Sequence, residues 1–162
     1  MPLMGSGKVF LAILLSLGIA LVGAWGAAAI YAGPAYGYAI DNAAAWQETH
    51  DRLVLHLVPG AAAALSGLML LFTVGPARRG RGRFWTGLFA LLATAAGVWL
   101  VIGRGALASY TGSSSLNTIP GSPSWVFELR MIHEWGPGLL VAIFGAWSLG
   151  LQAVSKRLLA GL

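Results

Sequence analysis

Apolar residues run along the chain in four long blocks, roughly Val9–Ala32, Leu53–Gly75, Phe84–Gly103 and Met131–Ser155, separated by shorter polar stretches. A membrane-crossing helix needs about 20 mostly apolar residues, and each block supplies them. The pattern predicts an all-α integral membrane protein: one antiparallel four-helix bundle over residues 1–162. The first block is long for the core of a cleavable signal and ends without a clear small-residue cleavage site, so it reads as a retained helix. Pro76–Arg83 is short, Gly-rich and basic, which makes the second and third helices antiparallel neighbours. The other connections, Gly33–Thr49 and Arg104–Arg130, are longer. They carry Tyr36, Tyr38, Trp46 and Trp125, aromatic residues suited to headgroup level.

Composition sharpens this picture. Hydrophobic residues make up 57% of the chain and charged residues only 9%, against about 25% charged in an ordinary soluble domain. A water-soluble globule is thereby excluded. Cysteine is absent, which rules out disulfides, thiolate metal sites and iron–sulfur clusters. The net charge of +5 is a topology signal and does not point to nucleic acid. Lys8, Arg78, Arg79, Arg81, Arg83, Lys156 and Arg157 fall on one side of the predicted bundle. Arg52, Arg104 and Arg130 fall on the other, together with all five acids, Asp41, Glu48, Asp51, Glu128 and Glu134. The basic side is cytoplasmic, so both termini are cytoplasmic and the chain is a multi-pass protein of a bacterial inner membrane, embedded in the lipid bilayer.

Ionisable residues within spans point to function, and the histidines are only three: His50, His56 and His133. Counting back from Arg78 and Lys156 at 1.5 Å per residue places His56 and His133 about 33–35 Å above the inner boundary, level with each other. Each stands one turn before a Pro-Gly pair, Pro59-Gly60 and Pro137-Gly138. This is a faint two-hairpin repeat, although helices one and three show no convincing similarity. Two neutral imidazoles at one depth could ligate a haem iron from opposite sides. Gly60, Ala61 and Ala64 below His56, and Gly136 and Gly138 below His133, would let a flat macrocycle approach. A single interfacial histidine, by contrast, more often bonds a loop carbonyl. His50 is about 240° around a helix from His56 and faces elsewhere.

Three motifs resemble the prokaryotic cytochrome b561 family, four-helix membrane proteins carrying b-type haem. They are His56-x-x-x-Gly60 in helix two, Gly97-Val-Trp-Leu-Val-Ile-Gly-Arg104-Gly105 closing helix three, and His133-Glu134 opening helix four. The resemblance implies one haem b near the outer face, with His56 and His133 as axial iron ligands. It implies electron passage between quinol or quinone, or a membrane complex, and a periplasmic redox protein. Arg52, Arg104 and Arg130 would reach the propionates; they are equally placed to pair with Asp51, Glu128 and Glu134. Met131 is an alternative axial ligand. Family members usually hold a second, inner haem, but helix one has no histidine here. Trp147 stands where its helix-four ligand would fall.

Other chemistry finds little footing. Pro137 stands where a zinc-protease motif after His133-Glu134 needs histidine, and Gly80-Arg81-Gly82-Arg83 is no phosphate loop. No acid lies in mid-membrane to couple transport. The competing expectation is a cofactor-free accessory subunit of a larger respiratory or photosynthetic complex, with small-residue faces such as Ala27–Ala29 and Ala61–Ala64 packing on other membrane subunits.

Overall fold

The computed structural model describes residues 6–39, 41, 43–78, 82–112 and 123–160, with side chains for all of these except 6, 74–78 and 152–160. The described residues are all-helical, without strands. Helix α1 (Ser6–Ala32) ends in a 3₁₀ turn, Gly33–Tyr36. A single α turn, His50–Arg52, leads through a π-helical turn, Leu53–Leu57, into α2 (Val58–Arg78). Helix α3 is Arg83–Thr111. The short helix α4 (Pro123–Arg130) leads through a second π turn, Met131–Trp135, into α5 (Gly136–Ala160). Three stretches, Gly7–Tyr36, His50–Thr73 and Arg83–Thr111, are long and apolar enough to cross a membrane. Phe10, Leu21, Phe72 and Phe84 are each more than 60% exposed, as befits a lipid environment.

The helices overrun the expected ends. Helix α2 continues through Pro76 to Arg78, and α3 runs on to Thr111, so the predicted loop from Arg104 is helix at its start and, over Pro123–Arg130, at its end. Helix α3 can continue past Arg104 because that charge is met by Glu134 inside the protein. Among the residues behind the sidedness argument, Arg79 and Arg81 lie outside the described residues, as do the side chains of Arg78, Lys156 and Arg157. Ser113–Ser115 and Pro120 of the second outer connection lie outside them too.

Helix α1 packs on α2 and α5, and α3 packs on α2 and α5, closing a ring. Small residues set the close crossings, as in membrane helices generally. A Cβ on Gly23 would meet the backbone N of Ala64, and one on Gly97 the backbone N of Ala142. A Cβ on Gly67 would meet the backbone of Ala20 and Ser16; one on Gly145 would meet that of Thr94 and Ala90. These pairs are equivalent at an offset of 74 residues in the first helix of each half and 78 in the second. The chain is therefore an internal repeat, and helices α1 and α3 do correspond, contrary to the sequence reading. The shared feature is Gly-x-Trp, in Gly23-Ala24-Trp25 and Gly97-Val98-Trp99. Its partner motif spans Arg52–Gly60 and Arg130–Gly138.

Both π turns follow from that second motif. Proline cannot donate to the carbonyl four residues back, and its ring crowds that carbonyl. Widening the turn just before Pro59 and Pro137 relieves the conflict. Val58 N–H then donates to Leu53 O and Gly136 N–H to Met131 O. This leaves Val54 O and Ile132 O without their α-helical donors. Trp99 Nε1 donates to Val54 O at 3.0 Å, and Trp25 Nε1 to Ile132 O at 3.1 Å. The same repair is thus made twice, by the tryptophan of the same motif.

Candidate functional site

The repeat corrects the register of the two histidines. Position for position, His56 matches Glu134, and His133 matches Leu55. Across the internal two-fold relation, His56 Nε2 faces Glu134 Oε1 at 3.8 Å. Arg104, from α3, donates through Nε to the same Glu134 oxygen in a short charge-assisted hydrogen bond. His56 and Glu134 are both 2% exposed and His133 is 1% exposed, so this is a buried ionisable cluster at the loop-covered end of the protein. Among the described residues, neither ring nitrogen of His56 has a hydrogen-bond partner. The groups facing it are the Glu134 carboxylate and the backbone of His133, whose carbonyl Pro137 cannot serve as a helical donor.

His133 is held differently. Its Nε2 lies 3.0 Å from Tyr38 O in the first outer loop, and its ring rests on Gly33, where a Cβ would come within 2.8 Å of the ring. Tyr38 in turn stacks on Trp125 at 5.5 Å between ring centroids. Arg52, predicted as a propionate ligand, is 1% exposed and grips the loop instead. Its Nε donates to Asp41 Oδ2 at 2.8 Å and its terminal nitrogens to Asp41 Oδ1 and the carbonyls of Ala43, Ala44 and Gln47. Burial raises the Asp41 carboxyl. The Arg52 hydrogen bonds, the Ala43 N–H and the charges of Arg52 and Arg104 outweigh it and hold the group below the usual carboxylate range. Arg130 lies over the Trp135 ring at 5.4 Å. Met131 turns to an open apolar groove of about 410 Å³ between α1 and α5, lined also by Trp25, Ile132 and Gly136. His50 is exposed.

A haem between His56 and His133 would need both imidazoles aimed at one iron, and these residues do not fit it as arranged. One imidazole looks onto a carboxylate, and the Nε2 of the other engages a loop carbonyl. Of the small residues read as a macrocycle cradle, Gly60 and Gly138 are filled by helix packing. A Cβ on Gly60 would lie 2.7 Å from Ala27 Cα, and one on Gly138 would lie 2.8 Å from Gly97 O. Among the described residues, no group of three or more His, Asp or Glu side chains is placed to hold a metal ion. The sequence places the three outer arginines beside acids that include Glu134, and Arg104 does pair with Glu134; what it does not show is Glu134 opposite His56, or Asp41 as the partner of Arg52. Aligning the two Pro-Gly motifs residue by residue would have paired Glu134 with His56.

No protein-family model, curated protein or solved structure matches the chain.

Proposed function

We propose that this is a multi-pass protein of a bacterial inner membrane, a four-helix bundle with both termini cytoplasmic. It serves as a small subunit of an electron-transfer assembly, working through a proton-exchanging His56–Glu134 pair. Orientation rests on the seven basic residues set against three in the sequence. The observation that carries the site is the buried His56 ring, without a hydrogen-bond partner among the described residues, beside a carboxylate that Arg104 already balances. Charge balance for Arg104 does not require an imidazole. An imidazole surrounded by acceptors has a place for an added proton and a carboxylate to receive its N–H. A quinol releases protons as it gives up electrons, so its oxidation near the outer face calls for a base there. That chemistry favours the quinol arm of the sequence expectation over an iron held by two imidazoles. Each quinol would give its two electrons one at a time to an acceptor on a partner subunit or a periplasmic redox protein, reduced twice per quinol, and its two protons in turn to the outer aqueous phase by way of the pair.

The test is to purify the protein in mild detergent, extract its quinone and record the reduced-minus-oxidised spectrum. Retained quinone should fall about tenfold in His56→Ala and in Glu134→Gln, the equivalent of one strong hydrogen bond. A six-coordinate b-type spectrum abolished by both His56→Ala and His133→Ala would return the haem in place of this reading. Neither quinone nor colour would leave the accessory-subunit role.

A further inference from the structure

Eight charged side chains belong to the outer end of the protein: Arg52, Arg104, Arg130 and the five acids. Two pairs cancel inside it, Arg52 with Asp41 and Arg104 with Glu134. Arg130 is half-buried over the Trp135 ring. What reaches the surface is acidic, because Glu48, Asp51 and Glu128 are all exposed. Residues 112–122 add no charge to this end. Such a surface is the reverse of one made to lie on lipid, which carries Lys and Arg for anionic headgroups.

Large aromatic side chains are exposed at the same end. Tyr110 is 90% exposed, Tyr36 78% and Trp46 72%. Tyr36 and Tyr110 hold the same position in the two halves of the repeat, 74 residues apart, so each half sends up one tyrosine. At 1.5 Å per residue, Tyr110 lies about 40 Å along α3 from Arg83, and Asp51 stands about as far from Arg78. The hydrocarbon core is only about 30 Å thick. These groups therefore stand past the lipid tails, where a soluble protein can reach them. Exposed Tyr and Trp are the residues that protein interfaces concentrate, and the charge around them sets the sign of the partner.

We infer that the outer face is a docking surface for a soluble protein with a basic patch, gripped by Tyr36, Trp46 and Tyr110 and steered by Glu48, Asp51 and Glu128. The partner's charge follows from this surface alone; that the partner accepts electrons rests on the quinol reading above.

The full chain, held in discs of zwitterionic phosphatidylcholine, is titrated with cytochrome c as a small basic redox probe and with an acidic ferredoxin as the control for sign. Binding of the basic probe should be saturable and weaken about tenfold between about 20 and 200 mM salt, while the acidic control stays unbound. Glu48→Gln, Asp51→Asn and Glu128→Gln combined should weaken binding about tenfold and flatten its salt dependence. Tyr36→Ala with Tyr110→Ala should weaken it about tenfold and leave the salt dependence as it was. All five are surface positions, where substitution leaves the fold intact. No saturable binding at low salt would overturn the docking surface. So would binding that ignores the tyrosines, which is charge attraction alone. Quinone content separates the two ideas: docking intact with quinone insensitive to His56→Ala keeps the surface and removes the redox role, and the opposite pair of results keeps that role and removes the surface.

Discussion

Glu134 Oε1 stands 3.8 Å from His56 Nε2, and the two residues hold the same position in the two halves of an internal repeat. An ancestral symmetric arrangement would set like against like there; this chain sets an acid against a base. Arg104 breaks the symmetry again, because its counterpart is Ile30, which is buried and apolar. The polar cluster is therefore a local departure in a packing scheme otherwise shared between halves. Replacing Glu134 with Leu removes the carboxylate that balances Arg104 and should destabilise the protein by about 3 kcal/mol. Adding Arg104→Leu should restore most of that loss. Thermal unfolding of both variants in detergent checks the pair, and an additive double variant would show that the two side chains are not coupled.

The tryptophan repairs make an independent prediction. Trp25→Phe and Trp99→Phe keep most of the ring and remove one N–H each from Ile132 O and Val54 O. Each should cost about 1 kcal/mol. The two sites lie in opposite halves and share no partner, so the double variant should be additive within about 0.5 kcal/mol. Loss of stability from one tryptophan only would mean that the second π turn is stabilised by other contacts.

Much of the fold was legible because lipid enforces it: long apolar blocks admit only helices once backbone groups must be satisfied internally. Both Pro-Gly pairs and the closeness of His56 to His133 in the fold were legible for the same reason. What escaped was register. His56 lies three residues before its proline and His133 four. That one-residue difference decides which side chain faces the axis, and only the π turns give it meaning. The Gly-x-Trp correspondence was hidden because the halves differ by four residues in the loops joining their helices, so no single offset aligns both. Arg52 was assigned to a ligand or to neighbouring Asp51; its partner Asp41 is eleven residues away across a loop that periodicity does not describe.

Close helix crossings should discriminate sharply between glycines. At Gly67 a Cβ would crowd Ala20 N and stand 2.7 Å from Ser16 O, both backbone atoms that cannot swing aside. At Gly145 it would stand 2.5 Å from Thr94 Oγ1 and 2.8 Å from Thr94 N. Gly67→Val and Gly145→Val should each lower stability by about 2 kcal/mol or more, the usual scale of overpacking. Gly105 has open space around its missing Cβ. Gly105→Ala should therefore be neutral or stabilise α3 by up to about 1 kcal/mol from helix propensity. Unfolding midpoints in detergent give the comparison directly.

Acid should release the outer loop, with a sign fixed by Asp41. Its carboxyl is held below the ordinary value of 3.8 in the folded protein. The stabilisation it supplies is thus complete above that ordinary value, and it is lost as the pH falls through the lower folded one. The carboxylate remains 29% exposed, so solvent screening limits the effect to about 1 kcal/mol. Wild-type stability should decline as the pH drops below about 4, whereas Asp41→Asn should start lower at neutral pH and show a shallower decline over the same interval. Parallel acid limbs in the two proteins would assign the loss to other carboxylates and remove Asp41 as the titrating partner of Arg52.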